Sequence, residues 1–233
     1  QIYLRRGKEE SLLRRHPWIF SGAIDYIKAE EESEIAEGAL VEVFDHKGAF
    51  IARGHYQIGS IAVRVLSFER EEIDQAWWNR RLRVALDVRR TLALTDDPST
   101  TCYRLVHGEG DSLPGLVVDK FSDVLVFQCL ALGMDRYKEK LLFMLKELLA
   151  EDGVEVRGIY ERSDAKEREK EGMRKTKGFL GEPFDTFVHI EENGVKYIVD
   201  VKDGQKTGFF LDQKYNRLAI QKLCRGARVL DCF

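Results

Sequence analysis

Between Ala39 and Phe68 the chain is patterned as a run of short strands. Leu40, Val41, Val43 and Phe44 lead into Asp45-His-Lys-Gly48, Ala49 to Ala52 follow, and after Gly59 the residues Ile61, Val63 and Val65 alternate with Ala62, Arg64 and Leu66. Alternation of period two puts one side of each strand into a core, and glycine-bearing turns after about five residues favour a small barrel or sandwich. Roughly seventy residues suffice for such a module, with little core to spare. The remainder of the 233 residues must therefore build other units, and their mixed patterns give an α+β, multidomain chain.

Trp78, Leu82, Ala85, Leu86 and Leu92 recur at helical spacing behind a capping Asp74, which places Arg80, Arg83 and Arg90 together on another face. Such an arginine stripe can bind phosphates, or it can be the wet side of an amphipathic helix. Tyr103 to Leu130 reads as a hairpin around Gly108-Glu-Gly-Asp111, and Asp135 to Leu149 as a second helix with a broad apolar face. No helix N-terminus follows the glycine-rich turn, so neither a P-loop nor a dinucleotide fingerprint fits and a structural turn is expected. Val156 to Tyr160 is the next strand, and the alternating charges from Glu161 to Gly172 suggest a solvated helix or loop. Asn193-Gly194 is a favoured two-residue turn between alternating strands, so residues 189–200 form a hairpin. A helix from about Gln213 to Leu223 and a strand from Arg228 to Leu230 complete the pattern.

Charge and composition exclude several classes. Apolar residues make up 44% of the chain, yet no apolar run approaches the ~18 residues that span a bilayer, and charged Arg5, Arg6, Lys8 and Glu9 stand where a signal-peptide core would lie. No membrane role is expected, and the cytoplasm is the expected compartment. The four cysteines, Cys102, Cys129, Cys224 and Cys232, lack C-x-x-C spacing, so reduced thiols are expected and no metal site. A formal net charge of −3 speaks against indiscriminate coating of nucleic acid but leaves room for local patches. Arg5, Arg6, Arg14 and Arg15 form one near the N-terminus; Glu30, Glu31, Glu32, Glu34 and Glu37 form an acidic run that reads as solvated surface.

The segment Lys202-Asp-Gly-Gln-Lys-Thr-Gly-Phe-Phe-Leu-Asp-Gln213 joins a hydroxyl, bare backbone and two aromatics just ahead of a helix. That combination suits a ligand with an apolar or π face and a charged end. Asp212 can cap the helix or accept a hydroxyl, and Arg217 can bind a carboxylate or phosphate. A loop with buried phenylalanines and an N-cap aspartate accounts for the same residues.

This segment, with Asn216-Arg217 and Val229-Leu-Asp-Cys-Phe233, resembles the start of the catalytic domain in the large-subunit rRNA cytosine-C5 methyltransferases, which use S-adenosylmethionine. His16-Pro-Trp-Ile-Phe20 and the strands to Phe68 resemble that family's N-terminal PUA domain, an RNA-binding barrel. Gly108-Glu-Gly-Asp111, Leu113-Pro-Gly-Leu-Val-Val-Asp119 and Glu161-Arg-Ser-Asp164 resemble its central domain.

The resemblance implies a PUA-like barrel over residues 1–70, a linker helix over 71–98, a central α+β domain over 99–186, and the start of a Rossmann-like methyltransferase domain over 187–233. It places Gln205, Thr207, Gly208, Phe209, Asp212 and Asp231 at the cofactor pocket. Arg5, Arg6, Arg14, Arg15, Arg80, Arg83 and Arg90 are the candidate rRNA contacts. Methylation at C5 needs a thiolate to add to C6, and that cysteine is expected beyond Phe233; Cys232 occupies a cofactor-strand position instead. A lone strand at 228–230 would leave backbone groups unpaired, so the chain is expected to be a fragment, or its end disordered, or paired with another copy as a homodimer. A non-catalytic RNA-binding module is the alternative reading.

Overall fold

A computed structural model describes residues 1–29 and 35–230. Its N-terminal part comprises β1 (Ile2–Leu4), α1 (Glu10–Leu13), β2 (Trp18–Phe20), β3 (Ile24–Ile27), β4 (Leu40–Phe44), β5 (Phe50–Tyr56) and β6 (Ile61–Ser67). These strands form one six-stranded sheet in the order β2-β6-β5-β4-β1-β3. Strands β2 and β3 stand at opposite ends of that order yet are joined only through the turn Ser21–Ala23. The sheet must therefore curl until its edges approach, which produces the barrel expected from the alternation. Ile2, Leu4, Leu12, Ile19, Val41, Val43, Ala52, Val63 and Val65 fill it. Strands β1 to β3 show no periodicity because each is only three or four residues long. Their partners are distant: Tyr3 pairs with Tyr26, ring on ring at 4.5 Å, and Ile2 pairs in parallel with Val43.

Helix α2 (Gln75–Thr91) starts as its sequence predicts, the Asp74 carboxylate accepting from the Trp77 amide at 2.7 Å. A second sheet follows, made of β7 (Cys102–His107), β8 (Leu116–Phe121), β9 (Val124–Cys129), β10 (Gly158–Ser163) and β11 (Thr176–Phe179) in the order β11-β10-β9-β8-β7. Helix α3 (Leu132–Glu151) is the crossover between parallel β9 and β10, and α4 (Lys166–Lys170) lies in the β10 to β11 connection. Period two decides which side chain goes where. Leu116, Val118, Leu125, Phe127 and Ile159 face α2 and α3, whereas Phe121, Val124, Val126 and Tyr160 face the hairpin of β12 (Phe187–Glu192) and β13 (Val195–Asp200). That hairpin turns at Asn193 and Gly194 with φ of 52° and 77°, both positive as a type I′ turn requires. Helix α5 (Lys214–Cys224) comes last and buries no residue.

Barrel and second sheet are locked together by polar side chains of the barrel. His55 of β5 stacks on Tyr137 at 5.7 Å and lies beside Trp78 at 6.2 Å, and Gly133 is obligatory because a Cβ there would stand 2.2 Å from the imidazole. Burial pushes the His55 pKa down to about 4, with Arg136 adding repulsion. Gln57 donates to the Glu171 carbonyl at 2.7 Å, and Arg64 pairs with the Glu171 carboxylate at 2.9 Å.

Two expectations are corrected. The charged run from Glu161 is not uniformly solvated: Glu161, Arg162 and Ser163 continue β10 and are buried, and Arg168 is 2% exposed. Each buried charge there has a partner, Lys138 at 2.9 Å from Glu161 and the Cys129 carbonyl and Asp135 for Arg168, so alternation of sign misleads about exposure. Residues 228–230 form no strand, and Val229 and Leu230 are exposed. Neither has a neighbouring strand to pair with among the described residues, and a ladder cannot form without one.

Candidate functional site

The segment after β13 folds back on itself as a tight loop. Asp200 accepts the amides of Lys202 and Asp203 at 2.9 and 3.0 Å, which starts the turn, and Gly208 donates its amide to the Gln205 carbonyl at 2.8 Å, which closes it. Two glycines make the closure sterically possible. A Cβ on Gly204 would lie 2.4 Å from the Asp200 carbonyl, and one on Gly208, where φ is +132°, would lie 2.8 Å from Val199.

Three charged residues of the second sheet hold this loop from beneath. Arg162 donates one guanidinium nitrogen to the carbonyls of Val201 and Gly204 at 3.1 and 3.0 Å. Asp119 accepts the Thr207 hydroxyl at 2.6 Å while Arg104 binds both its oxygens at 2.8 and 3.0 Å. The position of all three follows from strand alternation: Arg104 shares a face with Cys102, Asp119 with Phe121 and Arg162 with Tyr160. Arg104 and Asp119 are also register partners across β7 and β8. Asp119 is fully buried, and its hydrogen bonds raise the Arg104 pKa. A buried carboxylate stays charged only when it is so paired.

The predicted cofactor residues separate into two groups. Gln205 and Asp212 are exposed, and Lys206 lies 3.2 Å from Asp212, a hydrogen bond that lowers the Asp212 pKa. Thr207 is 1% exposed with its hydroxyl committed to Asp119, and Gly208 packs against Val199. Phe209 sits between the Tyr197 ring at 5.2 Å and the Arg217 guanidinium at 4.2 Å. Arg217 does not wait for an anionic ligand: Glu192, itself 1% exposed, takes it at 2.6 and 2.9 Å, and this pairing raises the Arg217 pKa. Nor does Asp212 cap α5, since a 3-10 turn at Leu211–Gln213 precedes that helix and no side chain caps it. Asp231, the remaining cofactor candidate, lies outside the described residues, as does Cys232. Asp119 and Arg162 stand in two of the central-domain motifs but were given no role at the site, and Arg104 and Glu192 were not singled out.

Beside the loop, α2, β7 and the start of α5 border an open cleft of about 590 Å³ whose apolar lining includes Leu92, Leu94, Cys102, Tyr103 and Leu211. Its cations are all neutralised by carboxylates: Arg89 by Asp111, Arg104 by Asp119, Lys206 by Asp212 and Lys214 by Asp97. The Arg89 to Asp111 pair also explains the Gly108-Glu-Gly-Asp111 turn, whose aspartate closes on α2 at 2.6 Å.

The candidate RNA contacts lie on the barrel and on α2, and they differ in their partners. Arg5, Arg6 and Arg14 are exposed on the barrel and make no ion pair among the described residues. Arg15, at φ +63°, stacks over Phe68 at 5.0 Å and reaches Glu69 at 3.2 Å. Arg80 pairs with Glu71 at 3.3 Å. Arg83 and Arg90 cross to Glu151 and Asp152 and so tie α2 to the end of α3. Near the basic barrel surface Phe20 is 50% exposed, and the Trp18 indole donates to Glu109 at 2.9 Å, which joins two motifs far apart in sequence.

The two thiols of the second sheet, Cys102 and Cys129, are buried. Burial pushes Cys102 up to about 12 and Cys129 higher still, which suppresses the thiolate. Among the described residues no cluster of His, Cys, Asp and Glu could hold a metal ion, and no helix is long and apolar enough to cross a membrane.

Comparison with known proteins bears on these features together. A PUA-like domain family model matches residues 2–68. Along its full length the chain is 44% identical to ribosomal RNA large subunit methyltransferase I of Photobacterium profundum, and 42% identical to the protein of that name in Escherichia coli O157:H7. The chain spans 57% of the length of these curated relatives. Among solved structures, one assigned as an S-adenosylmethionine-dependent methyltransferase from Streptococcus mutans superposes with a TM-score of 0.75 over 94% of this chain and 53% of its own, at 19% identity. Another, assigned as a methyltransferase and complexed with SAH, gives 0.74 over 93% of this chain and 52% of its own, also at 19% identity. The structures establish the α+β multidomain fold, and the sequence relatives bear out the resemblance read from the motifs.

Proposed function

We propose that this chain is the RNA-recognition portion, together with the cofactor-facing loop, of an S-adenosylmethionine-dependent methyltransferase that modifies C5 of a cytosine in large-subunit rRNA. The observation that carries this reading is the 44% identity along the full chain to a large-subunit rRNA methyltransferase, coupled with a 201–210 loop that is hydrogen-bonded to Arg162 and Asp119 of the second sheet. In this reading the barrel, with exposed Arg5, Arg6 and Arg14, contacts rRNA phosphates, and exposed Phe20 offers a ring on which a base can stack. Gln205 and Asp212, the two accessible candidates, face the cofactor, and Thr207, Gly208 and Phe209 shape the backbone that presents them. Units of about 1–70, 71–98, 99–186 and 187–233 divide the labour in this account, and rRNA as substrate implies work in the cytoplasm. When bound, S-adenosylmethionine supplies the methyl group.

In this reading the nucleophilic cysteine is expected beyond Phe233, and Cys102 and Cys129 are buried with raised pKa values. That same observation favours a second reading, in which the 233-residue chain alone binds structured RNA without catalysis. Methyl transfer from labelled S-adenosylmethionine to large-subunit rRNA separates them. Transfer is expected from the protein at the length of its relatives, with salt-sensitive RNA binding but no transfer from the 233-residue chain. Absence of RNA binding by both would contradict both readings.

A further inference from the structure

Besides Asp200 of its own hairpin, the 201–210 loop is held by two buried residues of the second sheet. Arg162 grips the carbonyls of Val201 and Gly204, and Asp119 grips the Thr207 hydroxyl; the exposed Gln205 and Lys206 are strung between them. We propose that Asp119 is a positioning residue for the cofactor: by accepting the Thr207 hydroxyl while clamped by Arg104, it fixes the Gly204–Gly208 backbone in the shape that receives S-adenosylmethionine. The ligand named here rests on the methyltransferase reading given above.

Geometry restricts how Asp119 can act. Its relative exposure is 0%, so it touches no ligand and any influence must pass through Thr207. Both its oxygens are engaged, Oδ1 by Arg104 Nε at 2.8 Å and Oδ2 by Arg104 Nη2 at 3.0 Å and Thr207 Oγ1 at 2.6 Å. The bidentate guanidinium fixes the carboxylate plane, and the carboxylate in turn fixes where the hydroxyl must lie. Thr207 is followed by Gly208, whose backbone has room for no side chain, so a hydroxyl held at one point determines the path of the chain on both sides. A loop ordered in advance loses less conformational freedom when ligand arrives, and affinity rises accordingly.

The rival account is that Thr207 contacts the cofactor itself and Asp119 is incidental. Three variants separate the two: Thr207→Val, which keeps shape and loses the hydroxyl, Thr207→Ser, which keeps the hydroxyl, and Asp119→Ala. Amide hydrogen exchange is followed at residues 204–208 of the 233-residue chain without cofactor. S-adenosylmethionine and rRNA affinities are measured by calorimetry on the protein at the length of its relatives.

Thr207→Val and Asp119→Ala are each expected to speed exchange and weaken S-adenosylmethionine about tenfold, to leave rRNA affinity within about twofold, and to add little when combined. Thr207→Ser should restore both readouts. Unchanged exchange in Thr207→Val would overturn the proposal even if Asp119→Ala does not fold, because a threonine that only touches cofactor leaves the empty loop unaffected. Faster exchange with unaltered cofactor affinity would overturn it as well. A wild-type protein that binds no S-adenosylmethionine would refute the methyltransferase reading and the ligand named here, whereas the exchange data would still decide whether Asp119 holds the loop.

Discussion

The barrel's basic surface and the 201–210 loop use charge in opposite ways. On the barrel Arg5, Arg6 and Arg14 project into water without a carboxylate partner among the described residues. Beneath the loop Asp119 and Arg162 are buried, and Asp119 bonds to Arg104 and the Thr207 hydroxyl while Arg162 bonds to the loop's backbone carbonyls and pairs with Asp164. An exposed unpaired cation contributes little to folding and is free to meet a phosphate, whereas a buried pair organises structure and is not free to meet anything. Surface charge and buried charge of the same residue type therefore predict different phenotypes when removed.

The largest effect is expected beneath the loop. Asp119→Ala leaves Arg104 and the Thr207 hydroxyl without their acceptor, and urea denaturation should register a loss of about 3–5 kcal/mol. A loss below about 1 kcal/mol would mean that Arg104 simply turns to solvent, for which its 35% side-chain exposure gives it a route.

Next is the joint between the two regions, where His55 is buried neutral. Its folded pKa, about 4, lies below the ordinary 6.5, so the unfolded chain binds the proton more tightly. Its stabilising contribution is complete above pH 6.5 and is lost as pH falls from 6.5 towards 4, by about 3 kcal/mol in total. His55→Phe, which preserves stacking on Tyr137 and Trp78, should flatten this part of the stability profile relative to the wild type. Parallel profiles would show that the imidazole is not buried neutral.

A smaller loss, about 1.5 kcal/mol, is expected for Thr207→Val, since one hydrogen bond to a charged acceptor disappears while the Arg104 to Asp119 pair stays intact. Thr207→Ser should return most of it. On the barrel, neutralising Arg5, Arg6 and Arg14 together should change stability by less than about 0.5 kcal/mol. A larger change there would erase the contrast between the two regions.

Much of this architecture was legible in the residues. Alternation in 39–68 announced the barrel, Asp74 announced the start of α2, and Asn193-Gly194 announced the hairpin, because each is a local signal. Strands β1 to β3 were invisible because their residues adopt that conformation only through distant partners such as Tyr26 for Tyr3. At the candidate site the motifs contained the loop and two of its supports, Asp119 and Arg162, but not the contact between them, which the fold makes across 39 to 88 residues. Arg217 looked available to an anion because nothing nearby in sequence neutralises it; Glu192 does so across 25 residues. Arg80, Arg83 and Arg90 are exposed on α2, and their pairing with Glu71, Glu151 and Asp152 was not legible because the fold brings those carboxylates to them. Helical spacing reports a shared face, not what stands opposite it.

The most direct test of the division between a recognising surface and a supporting interior is the salt dependence of rRNA binding by the 233-residue chain, measured beside its Arg5→Ala, Arg6→Ala, Arg14→Ala triple variant. If these arginines neutralise phosphates, the slope of log affinity against log salt concentration should become shallower by about 0.7–0.9 for each one removed, with the variant's unfolding curve unchanged. Parallel salt-dependence lines for the two proteins would contradict the account.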